Sequence, residues 1–230
     1  MQLKVQKRVS RGLDFLATYT WSKALTNGEG GYNFSDNYNV RNDHGPASFD
    51  RTHAFTLIHN WELPFGKGRR YLTRTSKVVD TVAGGWRFSG ITTVYSGLAF
   101  TPTLSNAPSV NADFNYVRPD IIGNPHASNP SAALWFNPTA YTQPQAPFRN
   151  GNAGKGTLRG PGLTVLNLSL SKEFVITEGK TLELRWENFN ALNHVNLALP
   201  GNQVDTSNAG QITSTSNAMR QMQLGLHFRF

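Results

Sequence analysis

The sequence predicts an all-β chain: an antiparallel transmembrane β-barrel segment of about seven strands, with long extracellular loops. Three observations carry the prediction. Apolar and polar residues alternate with a period of two along successive stretches, as they do in strands with one apolar face and one wet face. Aromatic residues make up 11% and charged residues only 16%, while mean hydropathy is −0.41. A soluble domain carries about 25% charge, so this chain is charge-poor yet polar on average. Finally, the connections between alternating stretches switch between long and short.

Residues 2–9 form a weaker first strand. Residues 12–22 place Leu13, Phe15, Ala17, Tyr19 and Trp21 on one face, against Asp14, Thr18, Thr20 and Ser22, with Leu16 the exception. Residues 52–63 align Phe55, Leu57, Trp61 and Leu63 with His53 and His59, opposite Thr52, Thr56, Asn60 and Glu62. Residues 86–101 set Trp86, Phe88, Val94, Leu98 and Phe100 against Arg87, Ser89 and Thr93. In 164–174, Leu166, Leu168, Leu170 and Phe174 oppose Asn167, Ser169 and Ser171. In 181–192, Leu182, Leu184 and Trp186 oppose Glu183, Arg185 and Glu187. The last stretch, 218–230, sets Met222, Leu224, Leu226, Phe228 and Phe230 against Gln221, Gln223, His227 and Arg229.

A soluble β-sandwich, such as a carbohydrate-binding or adhesive domain, also alternates, because one face of each sheet packs inward. Strand length favours the membrane: the alternating stretches run to about 11–15 residues, against the usual 5–6. Aromatics near strand ends (Tyr19, Trp21, Trp61, Trp86 and Phe88) suit the interfacial girdles of transmembrane barrels. Long structureless connections argue against a compact soluble domain. Placing the Phe230 end at the periplasm puts 23–51, 102–161 and 194–217 on the outside together. The turn near Ser10 and Arg11, the segment 64–85 and residues 175–180 then lie opposite, and only 64–85 is long for a periplasmic turn.

No run approaches the roughly 20 apolar residues of a spanning helix. The chain has no cysteine, which excludes disulfide frameworks and thiol catalysis. Its opening residues carry no apolar signal-peptide core and read as a strand already under way, so an export signal is expected upstream. The net charge of +8 is densest at Lys67, Arg69, Arg70, Arg74 and Lys77. A solvated turn accounts for that run, and no nucleic-acid partner is expected, since no recognition helix or RNA-binding motif accompanies it.

The final residues combine Gln223 and Gly225 with aromatics at Phe228 and at the terminal Phe230. This pattern resembles the assembly signal by which the barrel-assembly machinery receives outer-membrane proteins, a form of strand addition. Asp50-Arg51-Thr52-His53, the run from Glu62 to Arg69, Leu158-Arg159-Gly160-Pro161-Gly162, the run from Asn167 to Lys172 and the run from Glu187 to His194 extend the resemblance. Together they resemble the barrel of TonB-dependent, Oar-like outer-membrane receptors. The resemblance implies a roughly 22-stranded barrel around an N-terminal plug, substrate uptake energised by TonB, and a place in the bacterial outer membrane. The resemblance further implies that residues 1–230 correspond to the C-terminal part of that barrel, and no signal peptide, plug or TonB box is expected within them. The implied partners are outer-membrane lipid, the barrel-assembly machinery, the remaining strands and the plug, with TonB reached only through the plug.

No histidine spacing suits zinc, and no cofactor or enzymatic motif is present. Asp36, Asn37, Asp43 and Asp50 are oxygen donors near glycines but lack the EF-hand pattern. Glu183 and Glu187 flank Arg185 on one wet face and suit a lumen-facing charge ladder better than a hydrolytic carboxylate pair. Trp135, Phe136 and Tyr141 stand in the longest loop without periodicity. They are candidates for ligand contact at a receptor mouth, or for packing the loop on the rim.

Overall fold

The structure, a computed structural model, describes residues 1–28, 35, 39–105, 117–145 and 149–230. Seven long strands form one sheet: β1 (Gln2–Ser10), β2 (Leu13–Trp21), β3 (His53–Glu62), β4 (Trp86–Tyr95), β5 (Leu163–Thr177), β6 (Lys180–Phe189) and β7 (Gln221–Arg229). Each pairs antiparallel with its neighbour in the chain, giving an up-and-down meander with β1 and β7 at its edges. The sheet is not closed.

Register follows the alternation. Directly opposed residues share a face, so Leu3↔Tyr19, Tyr19↔Phe55 and Phe55↔Val94 align along one row. Trp61↔Phe88, Phe88↔Leu170, Leu170↔Trp186 and Trp186↔Leu224 continue the same apolar face across the sheet. A slip of one residue would exchange every side chain between faces, so each strand's pattern reinforces its neighbour's.

The turns explain the short connections. Arg11 (φ 54°) and Gly12 (φ 78°) both take left-handed backbone, as a two-residue hairpin with the sheet's twist requires. A Cβ on Gly12 would come within 2.8 Å of the Glu62 carbonyl oxygen. In the β5–β6 hairpin Gly179 (φ 80°) alone takes left-handed backbone, beside a register shift between Val175 and Thr177. The third connection at this end carries a short helix, α1 (Lys77–Ala83), which Ser76 caps by accepting from the Val79 amide at 3.4 Å.

Two strands end earlier than their alternation. After Tyr95 the chain leaves the sheet, and Ala99–Phe100 pairs instead with Leu158–Arg159. After Phe189, Asn190 adopts φ 49°, which strand pairing cannot continue. Six of the seven strands therefore have nine or ten residues, and only β5, with 15, reaches the length the pattern suggests.

The buried core lies outside the sheet. Phe100, Phe136, Ala140, Tyr141, Ala153 and Leu158 cluster within the 96–162 connection, with Ile121, Trp135 and Val204 packed against them. No residue of the apolar sheet face belongs to the buried hydrophobic set; Leu224 is 75% exposed and Leu226 66%. Total accessible area is 14503 Å², against about 10,000 Å² for a compact soluble monomer of this mass. No second large sheet covers the apolar face among the described residues.

Candidate functional site

Two surfaces carry the chemistry: the wet face of the sheet and the layer of long loops at one of its ends. On the wet face, Glu183 accepts from Arg185 at 2.9 Å and from Arg229 at 3.1 Å, and Arg185 reaches Glu187 at 3.9 Å. Gln223 donates to Glu187. Across the sheet, Glu62 pairs with Arg69 at 2.9 Å and Arg87 at 3.5 Å, and Asn60 donates to Asp14 at 3.1 Å. Glu183, Glu187 and Glu62 are held by guanidinium groups from their own strand (Arg185), from a neighbouring strand (Arg229, Arg87) or from the β3–β4 connection (Arg69), and Asp14 by the Asn60 amide. The arrangement is a ladder of ion-paired charges, as a water-lined surface tolerates.

The loop layer interlocks three connections. Asp50 of the first loop accepts from the Ala24 amide at 2.6 Å and from Arg159 of the second at 2.6 Å, while Arg159 also donates to the Asp50 carbonyl at 3.0 Å. Burial acts most strongly on the Asp50 carboxyl and raises its pKa, but the Ala24 amide and Arg159 together outweigh it and leave the pKa below its ordinary value. Arg149 grips Asp120 at 2.5 and 3.0 Å and lowers that carboxyl's pKa, with the Asn152 amide assisting against burial. A third clasp is buried: Arg118 donates to the Asn42 carbonyl at 2.5 Å and to Ser35 at 3.0 Å, and lies 3.7 Å from Asp43. The third loop joins through Asn202, which donates to the Thr101 carbonyl at 2.8 Å, and through the Trp135 amide, which donates to Gly210 at 2.8 Å.

Trp135, Phe136 and Tyr141 lie within this loop layer. Phe136 is 2% exposed and meets the Phe100 ring at a tilt, at 5.7 Å, and the Tyr141 ring edge-on, at 6.2 Å. Tyr141 is also buried, and desolvation pushes its hydroxyl pKa up to about 12. Trp135 is half-buried and donates its indole N–H to the Arg159 carbonyl at 2.7 Å. All three hold the loop layer together, and neither buried ring offers a free face to a ligand. Asp43 and Asp50 are committed to arginine clasps; Asp36 and Asn37 lie outside the described residues.

The aromatics flanking the sheet stand at both ends of its apolar face. Tyr19 and Trp21 lie at the loop end, where the Tyr19 hydroxyl meets His53 Nδ1 at 2.7 Å. Trp61, Trp86 and Phe88 lie at the turn end. At the terminus, Gln223 and Gly225 sit on the wet face of the edge strand β7. Phe228 and Phe230 stack at 5.9 Å, with Phe230 95% exposed.

Sequence reasoning missed the asparagines that staple the third loop. Asn196 is 1% exposed, accepts from the Thr164 amide at 2.7 Å and donates to the Thr164 carbonyl at 2.9 Å. Asn190 bonds both ways with His194 and also donates to the Ala218 carbonyl at 3.2 Å. The quoted run Glu187 to His194 contains Asn190, but nothing in the alternation distinguished it.

An antiparallel meander with one exposed apolar face, one ion-paired wet face and its long loops gathered at one end is the wall of a membrane β-barrel. The family described as outer membrane beta barrel domain matches residues 1–223, and the chain belongs to that family. Its place is the bacterial outer membrane, which favours the membrane reading of the alternation over the soluble sandwich. No curated protein and no solved structure matches the chain.

Proposed function

We propose that the chain contributes a run of strands to the barrel wall of a TonB-dependent, Oar-like receptor that takes up a substrate across the outer membrane. The observation that carries this reading is the two-faced sheet with its interlocked loop layer at one end. In the proposed orientation the apolar face meets lipid, the wet face lines a lumen and the loop layer forms the extracellular mouth. Further strands of the same barrel pair with the edges of β1 and β7, and a plug fills the lumen. TonB acts through that plug, and the barrel-assembly machinery receives the β7 end through Gln223, Gly225, Phe228 and Phe230. The chain is proposed to bind and pass a substrate without chemistry of its own, with no cofactor and no nucleic acid among its partners.

In-cell cross-linking followed by purification from outer membranes tests the proposal. A plug-bearing polypeptide and TonB are expected to co-purify with the chain. Recovery of a closed barrel without either would overturn the receptor reading while leaving the barrel intact.

A further inference from the structure

The connection between β3 and β4 is too long and too ordered for a plain turn. Residues 64–71 are pinched by the Tyr71 amide donating to Pro64 at 2.9 Å and the Gly66 amide donating to Tyr71 at 3.0 Å. Phe65 packs on Tyr71 at 5.8 Å, and the Arg70 guanidinium lies 5.4 Å above the Tyr71 ring. Beside this pinch runs a groove of about 840 Å³ lined by Arg11, Arg69, Arg70, Trp61, Phe65 and Tyr71, with Glu62 paired to Arg69 at its wall. That volume is in the range of ordinary ligand clefts.

The groove lies at the turn end of the sheet and runs from Glu62 on the wet face to Trp61 at the edge of the apolar face. Trp61 belongs to that face, as does Trp86, whose indole N–H donates to the Val82 carbonyl of α1 at 2.9 Å. Lys172, also on that face, donates to the Gly84 carbonyl. The helix is thereby held at the outward rim, with Val78 74% and Val82 67% exposed and no buried residue at all. In water such a segment would be an unfavourable display of apolar surface. Its charge resolves the difficulty: from 66 to 77 there are five basic residues and no acidic one. Apolar side chains beside a cluster of Lys and Arg suit the boundary between acyl chains and anionic headgroups.

We propose that this groove binds the headgroup of an anionic phospholipid of the periplasmic leaflet, with α1 resting in the same interface. The phosphate meets Arg11 and Arg70, and the acyl chains run along Trp61 and Phe65 onto the apolar face. This inference rests on the orientation given under the proposed function.

The test uses the protein extracted from the outer membrane and reconstituted into bilayers, labelled at single cysteines because it has none of its own. Fluorophores are placed at Leu72→Cys beside the groove and at Leu184→Cys on the apolar face of β6, three strands along the sheet from β3. Brominated phosphatidylglycerol and brominated phosphatidylcholine serve as quenchers. At 72, the anionic lipid is expected to quench preferentially; at 184, both are expected to quench alike. Arg11→Gln with Arg70→Gln should lower the preference at 72 by up to about 25-fold, about fivefold for each charge near a lipid surface, and leave 184 unchanged. Quenching at 184 without a preference at 72 overturns the headgroup site and leaves the barrel orientation standing. Absence of quenching at 184 overturns the membrane-facing orientation, and the site with it.

Discussion

Asp50 is a residue whose burial and ionisation pull in opposite directions. Desolvation raises its pKa, but the Ala24 amide and Arg159 lower it further, so the folded state holds the carboxylate below its ordinary value of 3.8. Asp120 behaves alike, held chiefly by Arg149. A depressed folded-state pKa gives stability that is fully present above the unfolded value and is lost as pH falls through the folded one. The loop layer is therefore expected to keep its clasps at neutral and mildly acidic pH and to loosen only below about 3.8. Amide exchange of Ala24 and Asn152, which donate to these carboxylates, should accelerate there while the sheet amides stay protected. Asp50→Asn should cost about 2 kcal/mol by replacing charge-assisted bonds with weaker neutral ones, and should expose Ala24 at neutral pH. Loosening that is already complete near pH 6 would show that these clasps do not hold the layer.

Among the elements, the 190–220 connection depends on side chains that imitate backbone. Asn196 offers Thr164 one donor and one acceptor, as a neighbouring strand would, and so satisfies the β5 backbone where pairing to β6 has stopped. Asn196→Ala should leave both Thr164 groups without a protein partner and cost about 2 kcal/mol. The measurement is limited proteolysis: cleavage in 190–220 should quicken while β5 and β6 remain resistant, and unchanged cleavage would remove Asn196 from this role. The strands themselves were legible because a two-faced sheet writes its burial into a period of two. Neighbours, faces and the separation of long from short connections all followed from that. Strand ends were less legible, since Leu98 and Phe100 keep the alternation after the backbone has left the ladder. Helix α1 has only seven residues, so the helical spacing of Val78, Val79 and Val82 is too short a run to stand out as a period. The clasps of the loop layer were invisible for another reason. Arg159 and Asp50 are 109 residues apart, and Arg118 and Asn42 are 76 apart, so no local pattern joins them. The same holds for Phe136 and Tyr141, whose burial depends on partners brought in by the loop's own path.

At the scale of the molecule, the sheet is unfinished on two counts. Among the described residues its apolar face is uncovered, and both edge strands, β1 and β7, present one side of their backbone without a partner strand. Lipid answers the first need, since an apolar face at rest in hydrocarbon loses nothing. It cannot answer the second, because each unpaired N–H or C=O in hydrocarbon costs several kcal/mol. With nine-residue strands at both edges, roughly half of whose backbone groups point outward, the sum reaches tens of kcal/mol. That exceeds the usual stability of a whole domain, about 5–15 kcal/mol. The loop layer does not relieve it, because its clasps join one end of the sheet and leave the strand edges untouched. The chain produced by itself is thus expected to resist refolding as a monomer in micelles or bilayers and to form oligomers or aggregates joined edge to edge. Sedimentation in detergent, with amide exchange along β1 and β7, measures this directly. Protection of those edge amides should appear only when further strands of the barrel, or further copies of the chain, are present. A monodisperse monomer whose edge amides are already protected would mean that the sheet closes on itself in lipid, and the requirement for additional strands would fall.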